Sequence, residues 1–213
     1  TDHMIIIPEM FNKTQITIDK IVRLIISSMI KRRIVGQKFG VVVVGEGIFH
    51  FLQDEDIASS GITFDYDAHG HPELSEVSKA HVISKILKNR LKELNLDIIC
   101  RPVEVGYSLR CVDPSAFDLT YCTTLGIGVK KLYDEGHSGC MVAVNLEEEV
   151  IPVYLKDVED EHGKIRTRLV NIDKEVVRQT LAENIYYLTA QDRSLARKWL
   201  ADPEPFEYER ILG

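Results

Sequence analysis

The stretch Ile98-Ile99-Cys100-Arg101-Pro102-Val103-Glu104-Val105-Gly106-Tyr107-Ser108-Leu109-Arg110-Cys111-Val112-Asp113-Pro114 decides the fold. An apolar, strand-like run, Ile98 to Val105, stops at a glycine. Asp113 and Pro114 then stand as N-cap and first residue of a helical run reaching about Tyr133. Strand, glycine turn and helix start are the place where α/β proteins put ligands, outside the carboxyl ends of the strands. Along an extended chain side chains alternate, so Arg101, Val103, Val105 and Tyr107 share one face, and the turn brings Arg110 back toward them. Two guanidinium forks and a phenol hydroxyl around a backbone turn suit a phosphomonoester, because one arginine can hold two of its oxygens at once. The plainer reading stays open beside it: arginines solvated or paired with surface carboxylates, and a tyrosine half-buried for packing.

Composition narrows the function classes. In 213 residues, with 45% hydrophobic side chains and a formal charge of -7, the chain reads as an ordinary globular protein with room for a substantial core. An acidic balance argues against a general nucleic-acid or anionic-membrane binder, so a phosphate site would be a local basic pocket. No apolar run approaches the roughly 18 residues of a membrane span. With no basic-then-apolar leader, the expected location is the cytoplasm. Cys100, Cys111, Cys122 and Cys140 are too scattered for a disulfide framework and are read as small packing residues, with Cys111 set apart by its neighbouring cationic turn.

Outward from that stretch the pattern alternates strand and helix. Met4 to Ile7, closed by Pro8-Glu9, reads as a buried strand. Thr14 to Arg33 carries Ile18, Ile21, Val22, Leu24, Ile25 and Met29 at helical spacing, with Lys31-Arg32-Arg33 as a favourable carboxyl end. Phe39 to Val44 reads as a central parallel strand covered on both faces. It ends in Gly45-Glu46-Gly47, where the carboxylate is exposed at a ligand edge and can accept hydrogen bonds from sugar hydroxyls, or is simply a turn acid. Residues 53–73 form a polar loop whose His69 and His71 lack a third partner at zinc-like spacing, so no metal site is expected. Ser75 to Leu94 reads as an amphipathic helix, and Cys140 to Asn145 with Val150 to Leu155 as a hairpin around three solvating glutamates. A polar loop at Glu159 to Lys164 leads to a helix from Asp173 to Leu188, and Arg193 to Ala201 forms a shorter one.

The run V-G-Y-S-L-R-C-V-D-P-S-A-F-D from Val105, followed by L-G-I-G-V-K-K-L and G-H-S-G-C-M-V-A-V, resembles the C-terminal half of phosphofructokinases, and within them the long, pyrophosphate-dependent branch. I-I-I-P-E-M, V-V-V-V-G-E-G, D-A-H-G-H-P-E-L-S-E-V and I-R-T-R-L-V-N-I-D extend the resemblance in family order over most of Met4 to about Leu188. One departure stands out. Where the family pattern has Gln-Arg-Gly-Gly-x-Pro, Leu109 to Pro114 keeps the arginine and the proline and loses both glycines.

The resemblance implies an α/β fold of phosphofructokinase type, a three-layer sandwich with a mostly parallel sheet, represented by its C-terminal portion. Residues 1–155 would be the substrate-binding part and residues 156–213 a helical extension packing back on it. It also implies a glycolytic phosphotransferase moving a phosphoryl group from pyrophosphate, or ATP, to the 1-hydroxyl of fructose 6-phosphate with Mg2+. Arg101, Tyr107 and Arg110 match the positions that grip the 6-phosphate, and Glu46 the position that grips the sugar. Arg101 would reach into a neighbouring subunit's site, which makes the assembly a homo-oligomer with shared sites. Asp118 matches a position expected to hold the arginine turn, and Glu9 one that lies at the effector site of compact allosteric relatives, a surface acid being the plainer account here. The Gly-Gly-Asp-Gly donor loop, the Thr-Ile-Asp-Asn-Asp base motif and the Met-Gly-Arg motif belong to the family's other half and do not occur here. No catalytic base and no magnesium ligand are therefore expected in this chain, which is read as a C-terminal fragment, a separate domain or one chain of a cleaved enzyme, inactive by itself. Two alternatives stay open: a noncatalytic sugar-phosphate-sensing module of the same fold, and an unrelated α/β phosphosugar binder.

Overall fold

The computed structural model describes residues 4–11, 14–53, 56, 78–145, 147–159, 170–177, 179 and 186–213, without the side chains of Glu46, His50, Leu109 and Arg110. The polar loops expected at 53–73 and 159–164, His69 and His71 with the first, lie outside the described residues, as do the expected helix start at Ser75 and much of the 173–188 helix. The chain forms two compact units: Thr1–Glu104 with Val170–Gly213, and Val105–Leu169.

The first unit is built around one helix. Strand β1 (Met4–Ile6) pairs in parallel with β2 (Val42–Val44), Met4 opposite Val42 and Ile6 opposite Val44. Helix α1 (Ile18–Ile34) connects them, as a parallel pair requires. Thr17 caps α1, its hydroxyl accepting from the Lys20 N–H at 3.2 Å. The helix stops where Gly36 takes φ +83°, a left-handed conformation that favours glycine, and its N–H returns to the Arg33 carbonyl. Ile21, Leu24, Ile26, Ser27 and Ile30 are all fully buried. Positions 24, 25, 26, 27 and 28 run around the whole helix circumference, so α1 has no solvent face over its middle turns.

What covers the far side of α1 is the end of the chain. A short helix α5 (Arg193–Ala196), a 3-10 turn (Glu204–Phe206) and a last helix α6 (Tyr208–Leu212) all pack on it. The Ser27 hydroxyl, inside the core, accepts the Leu188 N–H at 2.9 Å. The Lys31 ammonium donates to both carboxylate oxygens of Asp192 at 2.7 and 2.8 Å, and Arg193 bridges to the buried Glu207, with 2.8 Å on the Nη2 side. Burial works to raise the Asp192 pKa, but the hydrogen bonds from Lys31 and Thr189 outweigh it and leave it lowered. The hydrogen bond from Arg193 lowers that of Glu207 in the same way. The other members of the basic triplet act separately: Arg32 Nε donates to the Phe39 carbonyl at 2.8 Å and Arg33 Nη2 to the Asp97 carbonyl at 3.1 Å. A third helix, numbered α2 (Lys79–Glu93), is capped by Ser78 and buries Val82, Ile83, Leu87 and Leu91.

Two expectations change here. The β run expected over Phe39 to Val44 narrows to Val42–Val44, and Phe39 and Val41 are exposed. Ile98 to Val105 joins no strand ladder among the described residues. Its alternation is nevertheless real. Leu96 is buried and Ile98 and Cys100 pack against the core, while Ile99 and Val103 are 80% and 74% exposed. Apolar alternation specifies which side faces inward, but a strand also needs a neighbouring edge for its N–H and C=O groups.

The second unit opens with one helical turn, α3 (Tyr107–Arg110), and continues in α4 (Ala116–Asp134). The cap of α4 is Ser115 rather than the expected Asp113. Asp118, three residues on, completes a reciprocal capping box with Ser115, which a start at Asp113 could not form. The expected hairpin is present: β3 (Cys140–Val144) and β4 (Val150–Tyr154) run antiparallel, Cys140 opposite Tyr154. The Asn145 side chain shapes its turn by accepting the N–H groups of Glu147 and Glu149 at 3.0 and 2.8 Å. The hairpin rests on α4 at Gly128 and Leu132, the two residues this helix buries.

Three outcomes follow for the fold. A Cβ at Gly128 would meet Val142 Cγ1 at 2.6 Å and Val150 Cγ1 at 2.9 Å, so Gly128→Ala forces helix and hairpin apart and lowers stability by about 1–3 kcal/mol in urea unfolding. Ser27→Ala strands the buried Leu188 N–H and lowers stability by about 1–3 kcal/mol. Asp192 and Glu207 have folded-state pKa values below their ordinary 3.8 and 4.5, so their contribution is complete above that range and disappears as pH falls through it. The urea midpoint should therefore drop on acidification below about pH 4.5, and less steeply in Asp192→Asn.

Candidate functional site

The parallel pairing of β1 and β2 sends both carboxyl ends to the same edge, and each is followed by a 3-10 turn, Pro8–Phe11 after β1 and Glu46–Phe51 after β2. Glu46 is thus the second residue past β2, held there by the Gly45 N–H, which donates to the Ile6 carbonyl at 2.8 Å. The other acid of this edge, Glu9, has a role in the structure: its carboxylate accepts the Val170 N–H at 2.9 Å, tying the returning chain to the end of β1.

Arg101 lies on the extended stretch that follows α2. It is exposed and makes no hydrogen bond or ion pair among the described residues. Three residues later the first unit ends at Glu104. Tyr107 and Arg110 open the second unit as first and last residue of one helical turn, closed by the Cys111 N–H on the Tyr107 carbonyl at 2.8 Å. The Tyr107 ring is 76% exposed. The structure thus joins Tyr107 to Arg110 in one turn and places Glu46 and Arg101 in the other unit.

The loss of both family glycines after Arg110 has a simple structural counterpart. Cys111 sits at φ −103° and Val112 is not among the residues with positive φ, so this turn uses backbone angles open to any residue. From Val103 to Tyr121 every described side chain is exposed, and the segment is shaped by local polar bonds instead of burial. The strongest cluster is one the sequence pattern pointed to only as an arginine-turn support. Ser115 donates both its N–H, at 2.8 Å, and its hydroxyl, at 2.6 Å, to Asp118 Oδ2, and these bonds hold the Asp118 carboxyl below its ordinary range. The S-A-F-D spacing was the available signal for it.

The cysteines divide. Cys100 and Cys140 are half-buried and burial pushes the Cys100 thiol up, whereas Cys122, expected to pack, is exposed, as is Cys111, which the sequence set apart. Among the described residues no three His, Cys, Asp or Glu side chains come together as a metal site. None of the described helices is long and apolar enough to cross a membrane.

No family model matches the chain. Curated relatives do. A pyrophosphate–fructose 6-phosphate 1-phosphotransferase of Naegleria fowleri is 31% identical over 182 residues, covering 81% of this chain and 41% of its own length. The enzyme of the same name from Thermotoga maritima is 29% identical over 204 residues, covering 93% of this chain and 46% of its own length. A subunit beta 2 of that name from Arabidopsis thaliana is 22% identical over 211 residues. These relatives belong to the phosphofructokinase family, and the chain, which is similar to the first two over most of its own length, spans less than half of theirs.

Proposed function

We propose that this chain is the C-terminal, fructose 6-phosphate-binding part of a pyrophosphate-dependent 6-phosphofructokinase, acting in the cytoplasm as a homo-oligomer. Residues 1–155 carry the substrate part of a three-layer phosphofructokinase fold, and residues 156–213 are the extension that packs back on it. Moving a phosphoryl group demands that the acceptor be held in line and that charge be neutralised, with little covalent work for the protein. Arg110 and Tyr107 supply one side of a cradle for the 6-phosphate, and Arg101, contributed by a neighbouring subunit, supplies the second guanidinium. Glu46 accepts hydrogen bonds from the sugar hydroxyls. The donor site, the base for the attacking 1-hydroxyl and the ligands of Mg2+, which would neutralise the donor's charge, belong to the part of the family's length that this chain does not span.

The observation that carries this reading is the match to two named relatives over 81% and 93% of the chain, together with an exposed Arg101 that has no protein partner among the described residues. An exposed arginine left without a protein partner is what a phosphate cradle needs before its ligand arrives.

Isothermal titration tests it. The wild-type chain should bind fructose 6-phosphate in preference to other phosphosugars, and Arg110→Ala should lose about 2 kcal/mol, roughly a 30-fold drop in affinity. Equal affinity in that variant removes Arg110 from the site. Arg101→Ala should leave urea stability within about 0.5 kcal/mol, as expected for a side chain held for a ligand. In a coupled assay with pyrophosphate and Mg2+ the 213-residue chain alone should show no turnover; turnover would refute the division of labour proposed here.

A further inference from the structure

We infer that the basic outer face of α2, formed by Lys85, Lys88 and Lys92, is the seat for the acidic hairpin turn Glu147, Glu148 and Glu149 of a second copy of this chain. The inference rests on the homo-oligomer in the proposed function, for which it names a contact, and is independent of the sugar-phosphate cradle.

The charge of this chain is unevenly placed. Helix α2 carries Lys79, Lys85, Lys88, Arg90 and Lys92 against one acid, Glu93, a balance of +4 inside a chain of -7, so all the rest together holds -11. Lys85, Lys88 and Lys92 are spaced by three and four residues and form one row about 10 Å long, opposite the buried Ile83 and Leu87. All three are exposed, and none has a hydrogen bond or ion pair among the described residues. Arg90, by contrast, is paired with Glu93 at 2.8 Å. Like charges at this spacing work against the helix that carries them. Lys92 is offset by the helix dipole at the carboxyl end, but Lys85 and Lys88 stand in the middle turns, beyond its reach.

The tip of the hairpin is the complement. The Asn145 side chain accepts the N–H groups of Glu147 and Glu149 at 3.0 and 2.8 Å, and Glu148 takes φ +63°, so the backbone under the three acids is set before any partner arrives. All three side chains are exposed and make no ion pair among the described residues; Glu149 accepts a long hydrogen bond from Asn145 Nδ2 at 3.4 Å. Three ammonium groups in a row thus match three carboxylates on a fixed turn. Both patches belong to one chain, so a two-fold axis sets each against its complement and makes the contact twice. Two copies of charge -7 otherwise repel, and this complementarity selects one approach over the rest.

Sedimentation velocity of the full 213-residue chain over a concentration series tests it, in about 0.1 M and about 1 M NaCl, between which the screening length falls from about 10 to about 3 Å. The wild type should associate at the lower salt and weaken at least about tenfold at the higher. The charge reversals Lys85→Glu/Lys88→Glu/Lys92→Glu and Glu147→Lys/Glu148→Lys/Glu149→Lys should each be monomeric alone. Their equimolar mixture should form a mixed dimer, because every basic patch then meets an acidic one again. Urea midpoints check that both variants fold, and if either does not, the salt series on the wild type decides. Wild-type association in either folded variant, a mixture that stays monomeric, or an assembly as tight in the higher salt overturns the inference and leaves the homo-oligomer on another surface. A wild-type chain that is monomeric at the lower salt removes the homo-oligomer, and the inference with it.

Discussion

The first unit depends on covering α1 from every side. A helix whose middle turns bury Leu24, Ile25, Ile26, Ser27 and Ser28 in succession cannot sit on a sheet and face water with its back. One side is met by β1 and α2, and the other by the returning chain from Leu188 onward. The polar groups follow from the same constraint. Ser27 is inside the core because the Leu188 N–H has to be met there, and Lys31 and Asp192 close the seam at the helix's carboxyl end. Each member of the basic triplet ties a different segment to this end of α1, so charges that could have been solvated instead fix the tail, the approach to β2 and the turn after α2.

Much of this was legible. The period of apolar residues places α1, α2, α4 and the hairpin within a few residues of their observed limits, because in each a single local pattern agrees with what packs on it. Ile26 and Ile30 were missed as core for the opposite reason. A one-sided helical pattern has no way to announce a second partner arriving from residues 188–213. The start of α4 moved from Asp113 to Ser115 because both carry capping side chains, and only the residue three positions on decides between them. Ile98 to Val105 shows the limit of alternation: it fixes the inward face, with Ile98 and Cys100 against the core, but carries no information on which edge the backbone will meet.

The candidate site was legible as a spacing and not as an arrangement. Arg101, Tyr107 and Arg110 were singled out by position along an extended run, yet the boundary between the two compact units falls between Glu104 and Val105. Sequence spacing cannot see such a boundary. The resemblance gives the capping acid Asp118 only a general supporting role, whereas the hydrogen bonds name Ser115 as what it holds. Glu9 is a comparable case, a strand-end acid whose partner, the Val170 N–H, is 161 residues away.

The lid over α1 has a consequence for how the chain is made. Ser27 and the Leu188 N–H that meets it are separated by 161 residues, and so are Lys31 and Asp192. At a ribosomal pace of about 5–20 residues per second, the outer face of α1 waits on the order of ten seconds for its cover. Closing so long a loop is a late and slow event, and until then a greasy cylinder stands bare. This unit is thus poorly suited to ripening during translation before the segment from Leu188 onward emerges.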